Sequence, residues 1–244
     1  MKRPLVIGFL AILVVGGVSS AYAQGRIHLG VRVGLANLVM ADLNDTIAMI
    51  NDDIEWHLEH EELSGMDVIS SDELEKIRWG TSIEGYLGTN ITDTVALRLI
   101  GGYLVSRESS GGFSTTDGTA EATATHTFRA SCYFGGVEPV VRFDSEKASG
   151  WLGAGVAYYS ATLISESIYE FSGLPAETES SMVVGGKLGY HGFLEERFTL
   201  ADGVSVQVSI GYRSTGKIEL EGHPHVDSLD FSGMRYLACI VLLI

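Results

Sequence analysis

Eight charged residues fall on the polar side of an alternating pattern that recurs along this chain: Arg32, Arg78, Glu84, Arg98, Glu138, Arg142, Lys187 and Arg235. Charges of both signs facing a narrow space can neutralise one another as a salt-bridged plug or line a selective pore. Mixed signs favour the plug, with Arg98, Glu138, Arg142 and Lys187 expected to pair across the interior. Histidine raises a second chemistry. His126, His191, His223 and His225, with Ser106, Ser165 and Ser181, supply the residue types of a serine–histidine hydrolase or acyltransferase. No spacing among them marks a triad, and no G-x-S-x-G turn occurs. "HPH" at 223–225 and "HLEHEE" at 57–62 bring imidazoles and carboxylates close enough to hold a metal. A solvated acidic surface reads the same way, and no cofactor is expected.

The elements that must position these side chains are strands. "IHLGVRVGL" at 27–35 puts an apolar residue at every odd position, with His28, Gly30, Arg32 and Gly34 between them. Period-two alternation of this kind marks a strand with two unlike faces. It recurs at about 77–89, 95–106, 125–143, 150–162, 181–193, 204–213 and 229–244, which makes eight strands. The connections alternate long and short. "NITDT" and "DSEKAS" are short, "LEERFTLADG" is moderate, and 38–76, 107–124, "LISESIYEFSGLPAETES" and "STGKIELEGHPHVDS" are long.

An even number of antiparallel strands, apolar outside and polar inside, with tight turns at one end, is the sequence pattern of a transmembrane β-barrel. Closure leaves no unpaired edge in lipid, where each unsatisfied backbone group costs several kcal/mol. Arg32 then points into the lumen, and the neighbouring glycines make room in an interior only just wide enough for side chains. A soluble lipocalin-like barrel, apolar inside and polar outside, is the competing fold. It would leave an inner face more apolar than a ligand cavity needs.

Bulk composition agrees with export to a membrane. The chain of 244 residues has 30 glycines, 4 prolines and a formal charge of −15, together with a mean hydropathy of +0.20. Lys2 and Arg3, the apolar run Leu5–Val15 and the small residues Ala21 and Ala23 read as a signal peptide over 1–23, with a mature barrel domain over 24–244. Without the signal, 14 basic residues face 31 acidic ones, which argues against nucleic acid as a partner. Cys132 and Cys239 fall on the inner face of the fourth and eighth strands, at opposite sides of the ring. A disulfide needs Cα atoms within about 7 Å, so both thiols should be free.

The closing segment "DFSGMRYLACIVLLI" resembles the last strand of the small eight-stranded bacterial outer-membrane barrels, the OmpA transmembrane domain and OmpX group, in which D-x-S-G precedes an alternating run. The resemblance extends in pattern and loop rhythm from about Gly25 to Ile244. It implies an all-β, eight-stranded antiparallel up-and-down transmembrane barrel in the outer membrane, a closed or nearly closed lumen, outer-membrane lipid around it, and delivery by the barrel-assembly machinery. Such barrels usually end on an aromatic residue, whereas this chain ends on Ile244.

The first long loop is unlike the others. Leu43, Ile47, Ile50, Ile54 and Leu58 recur at helical spacing, which predicts an amphipathic helix over about 43–63. Twelve acidic residues lie from Asp42 to Glu75 with no Lys or Arg among them, so the polar face is acidic. The apolar stripe either covers the barrel mouth or docks a surface partner, and covering the mouth is the simpler use. The expected protein is a monomer with a structural or surface-interaction role. A narrow ion or small-solute channel and a lipid-modifying enzyme are the alternatives.

Overall fold

The alternating segments pair, each with its neighbours, into a ring. The computed structural model describes residues 27–64, 67–144 and 149–243. The signal peptide expected over 1–23, the mature start at Gln24 and the terminal Ile244 lie outside the described residues. The eight ring strands are β1 (Ile27–Asn37), β3 (Trp79–Asn90), β4 (Val95–Ser106), β6 (Glu121–Asp144), β7 (Ser149–Phe171), β8 (Glu177–Ala201), β9 (Val204–Ser214) and β12 (Gly233–Leu243). Each is antiparallel to the next, and β12 returns to pair with β1 while β6 joins β7, so the barrel closes without an edge. Outside the ring stand the helix α1 (Ala41–Ser64), the strands β2 (Asp67–Asp72) and β5 (Ser109–Thr116), and the short pair β10 (Ile218–Glu219) and β11 (Ser228–Leu229).

Faces follow parity. Leu29, Val31, Val33 and Leu35 of β1 point outward and are exposed, while Gly30, Arg32 and Gly34 point in. Outward tyrosines occur on six consecutive ring strands: Tyr103, Tyr133, Tyr158, Tyr190, Tyr212 and Tyr236. Tyr103 sits opposite Tyr133, and from there each successive tyrosine lies two residues further toward the turn end than a directly opposed residue would. Tilted strands need that stagger to keep residues at one height. The result is an aromatic belt of the kind that marks a membrane interface.

Strand lengths divide the molecule into a barrel and a head. A tilted strand crosses a bilayer in about 9–11 residues, close to the 11 or 12 residues of β1, β3, β4, β9 and β12. By contrast β6, β7 and β8 have 24, 23 and 25 residues. Their excess extends beyond the tyrosine belt at the loop end, where β5 and then β2 widen the sheet. Long connections expected at 107–124 and 163–180 are thus largely paired strand. "LEERFTLADG" is mostly strand too, because β8 continues to Ala201 and only 202–203 separate it from β9.

Helix α1 lies over the mouth. Leu43 and Ile47 are 0% exposed and Ile54 is 6% exposed, in one core with Met40, Leu104, Leu163, Ile218 and Phe231. Two asparagines seven residues apart, two helical turns, anchor the helix to the return segment. The Asn44 side-chain amide donates to Ile77 O at 3.0 Å and its oxygen accepts from Ile77 N at 2.7 Å. Asn51 repeats the pattern with Leu74, at 3.0 and 2.9 Å. The D-x-S-G stretch knits the last loop to the barrel rim: the Asp230 carboxylate accepts from Ser232 N and the Thr215 hydroxyl, and Ser232 Oγ accepts from Thr215 N. A Cβ on Gly233, whose φ is +146°, would lie 2.0 Å from Asn37 O, so the motif needs glycine here.

Candidate functional site: an ionic network in the lumen

Three carboxylates and four guanidiniums fill the middle of the barrel. Glu84, Glu138 and Glu195 come from β3, β6 and β8; Arg32, Arg98, Arg213 and Arg235 come from β1, β4, β9 and β12. None is more than 3% exposed. Arg32 is the hub: its Nη1 lies 3.2 Å from Glu138 Oε2, its Nη2 3.2 Å from Glu195 Oε2, and Glu84 is at 3.6 Å. Arg98 Nη2 donates to Glu195 Oε1 at 2.8 Å. Arg213 and Arg235 each donate to Glu84 at 3.1 Å, and His191 Nε2 lies 2.8 Å from Glu138 Oε1. Opposite charges at hydrogen-bonding distance are what allow ions to be buried away from the surface.

Aromatic rings complete the packing. Tyr86 lies under both Arg32 and Arg98, with guanidinium carbons 4.6 and 4.5 Å from its centroid, and its hydroxyl donates to Gln207 at 2.9 Å. A Cβ on Gly30 would fall 2.1 Å from the Tyr86 ring, so glycine on β1 is what lets this tyrosine lie across the lumen. Phe193 faces Arg32 at 5.1 Å, and Phe134 faces Arg213 at 5.0 Å. Above this layer the apolar core under α1 fills the mouth, so the interior is packed at two levels.

Of the eight residues singled out from sequence, the structure brings together Arg32, Glu84, Arg98, Glu138 and Arg235. It does not bring in Arg78, Arg142 or Lys187, all three of which are exposed. Arg78 precedes β3, Arg142 pairs with Asp144 at the turn end, and Lys187 donates to Lys217 O at the loop end. All three have inward parity, but they sit at the ends of the barrel, where water is available. The expected pairing of Arg98, Glu138, Arg142 and Lys187 with one another is replaced by Arg98 with Glu195 and Glu138 with Arg32, Arg235 and His191. Glu195 and Arg213 were missed. Each continues the inward parity of its strand, Glu195 after His191 and Phe193, Arg213 after Gln207, Ser209 and Gly211.

The histidines find other partners. Ser165 Oγ lies 3.2 Å from His223 Nε2 and 2.9 Å from Ser181 Oγ, which looks like a nucleophile beside its base. But the backbone N–H groups of His225 and Val226 donate to His223 Nδ1 at 3.2 and 3.0 Å. Nδ1 therefore carries the lone pair, and the proton of the neutral ring sits on Nε2, which donates to Ser165. Burial, with His225 adding to it, lowers the His223 pKa and so favours the neutral ring. With no lone pair toward Ser165, this pair is not set up for proton abstraction. His126 Nδ1 meets Ser167 Oγ at 2.9 Å, and His60 Nδ1 meets Trp56 O at 2.8 Å. Among the described residues no group of three His, Cys, Asp or Glu side chains is gathered as a metal site. Cys132 and Cys239 are free and buried on β6 and β12, four places apart in the ring of eight.

One contact of the head has a definite response to pH. Lys217 Nζ lies 2.7 Å from Asp42 Oδ1, and the Ser228 hydroxyl donates to Asp42 Oδ2 at 2.5 Å. These donors hold the Asp42 carboxyl below its ordinary value, and Asp42 raises the Lys217 ammonium. The carboxylate's contribution is complete above its undocked pKa of about 3.9 and fades as pH falls through the lower docked value. That of the ammonium is complete below about 10.4 and fades as pH rises through the raised one. Docking of the start of α1 should be flat between these limits and loosen outside them. Amide hydrogen exchange at 41–44 measures this, and Asp42→Asn should remove both limbs.

A closed eight-stranded antiparallel ring, apolar and belted with tyrosine outside and ionic inside, defines the class of small outer-membrane β-barrels. No family model matches the sequence, and no curated protein does. Among solved structures, the chain is similar to the outer membrane protein OprG from Pseudomonas aeruginosa, with 11% identity over 89% of this chain and 95% of that one and a TM-score of 0.43. It is also similar to Ail, the attachment invasion locus protein of Yersinia pestis, with 13% identity, 89% and 99% coverage and a TM-score of 0.37. A second Ail structure, in complex with the heparin analogue sucrose octasulfate, gives a TM-score of 0.36.

Proposed function

We propose that this protein is an integral outer-membrane barrel with a closed lumen, whose role is structural or lies in surface interaction through its acidic head. The observation that carries this reading is the lumen itself. Seven acidic and basic side chains, each no more than 3% exposed, pair with one another across its middle. A water-filled pore would leave them hydrated. The tyrosine belt supports a bilayer around the barrel, and the convention that barrels keep short turns on the periplasmic side puts the head outside the cell. Export by a cleaved signal, delivery by the barrel-assembly machinery and a monomeric state belong to the same proposal.

Planar-bilayer recording tests it. The purified protein should insert, shift its gel mobility on boiling, and pass no steady current. Steady ohmic conductance would replace the closed barrel with the narrow channel. A compact monomer soluble without detergent would remove the membrane reading altogether.

A further inference from the structure

Between α1 and the inner face of the head sheet lies a cleft of about 330 Å³ that the closed-barrel reading does not use. Ile50, Asp53, Ile54 and His57 of α1 form one wall, and Phe113 of β5, His126 of β6 and Tyr169 and Phe171 of β7 form the others. Its volume is at the lower end of the roughly 300–1,000 Å³ typical of ligand pockets. The rings are arranged around it: His57 stacks against Phe113 at 6.0 Å, and His126 meets Tyr169 edge-on at 5.9 Å. His126 is tied to Ser167 through Nδ1.

The charge in this cleft is one-sided. Asp53 is the acid at its wall, exposed and within electrostatic reach of the His126 ring, and among the described residues no Lys or Arg pairs with it. The surrounding helix adds Asp52, Glu55 and Glu59, and no Lys or Arg occurs from Asp42 to Glu75. Anions are repelled by this field. A bare metal ion lacks a set of three donors here. A neutral acyl chain would strip water from Asp53 without compensation. A cation with an apolar body meets neither objection, because ring faces attract a cation and the carboxylate pairs with it.

We propose that the cleft binds a small organic ammonium ion carrying an aromatic or bulky aliphatic body, with the rings of Phe113, Tyr169 and Phe171 taking the body and Asp53 the charged head. This rests on the head being the working surface of the barrel. The site belongs to the folded head alone and does not involve the lumen.

Isothermal titration calorimetry of the full-length folded protein in a maltoside detergent, at about pH 8, above the ordinary imidazole range, tests it. Choline-headgroup detergents are avoided because their quaternary ammonium would compete. Phenethylammonium is the probe and 2-phenylethanol its neutral counterpart. The amine should bind saturably at one site, and the alcohol at least about tenfold more weakly. Asp53→Asn should bring the amine down to the level of the alcohol, and Ala122→Trp, which fills the cleft from its β6 wall, should abolish binding. Each variant is taken forward only if it keeps the heat-shifted band of the folded barrel. Absence of saturable binding, equal binding of amine and alcohol, or binding unchanged in Asp53→Asn or Ala122→Trp would overturn the assignment. A protein that stays silent in a bilayer yet ignores the amine loses the cleft and keeps the closed barrel. One that binds the amine and conducts keeps the cleft and loses the closed lumen.

Discussion

Glu138→Ala should lower the unfolding midpoint in detergent more than any single change in the head, by the equivalent of about 3–5 kcal/mol. Glu138 accepts from Arg32 and His191, has Arg235 at 3.6 Å, and is itself 0% exposed. Its removal leaves two carboxylates facing four guanidiniums at the centre of the barrel. The penalty is that of buried cations without a counter-charge, and it exceeds what the intact network contributes relative to an apolar core. A double replacement, Glu138→Leu with Arg32→Met, should therefore recover part of the loss. Urea titration followed by gel mobility measures both variants. A midpoint unmoved in Glu138→Ala would mean that the remaining charges stay hydrated, and would favour an open pore.

The second large effect is expected at the mouth. Ile47 is 0% exposed on the apolar face of α1, so Ile47→Asp places a carboxylate in a core that offers it no partner. The helix can escape by undocking, at the expense of its apolar contacts and of the paired hydrogen bonds of Asn44 and Asn51. Loss of a buried Ile side chain alone costs about 2–5 kcal/mol. The head should open locally, with new protease cleavage in 41–78, while the heat-shifted band of the barrel persists. Bilayer recording of the same variant should remain silent, because the ionic layer closes the lumen beneath the helix. A current appearing in Ile47→Asp would show that α1, and not the ionic network, is the seal.

These two layers differ in how far they could be read from the chain. The stripe of α1 was legible because 3.6-residue periodicity is a local property, and the helix observed over Ala41–Ser64 contains the expected 43–63. Its anchors were not. Asn44 and Asn51 look like ordinary polar positions until Ile77 and Leu74 arrive beside them from the return segment.

Sequence alone determined the eight ring strands, their two faces and the turn end of the barrel, but not the strands of the head, because alternation and turn length are written into neighbouring residues. It identified Arg32, Glu84, Arg98, Glu138 and Arg235 as inward-facing for that reason. Tertiary structure decided height and partner. Arg78, Arg142 and Lys187 share the inward parity but sit at the barrel ends, since height depends on where each strand begins relative to the others around the ring. Partner choice is less local still. Arg98 stands directly opposite Glu138 in the register of β4 and β6, yet its guanidinium reaches across the lumen to Glu195 on β8. Register sets which backbones touch, whereas the long side chains of a narrow closed barrel meet across its axis, and only closure of the ring brings those ends together.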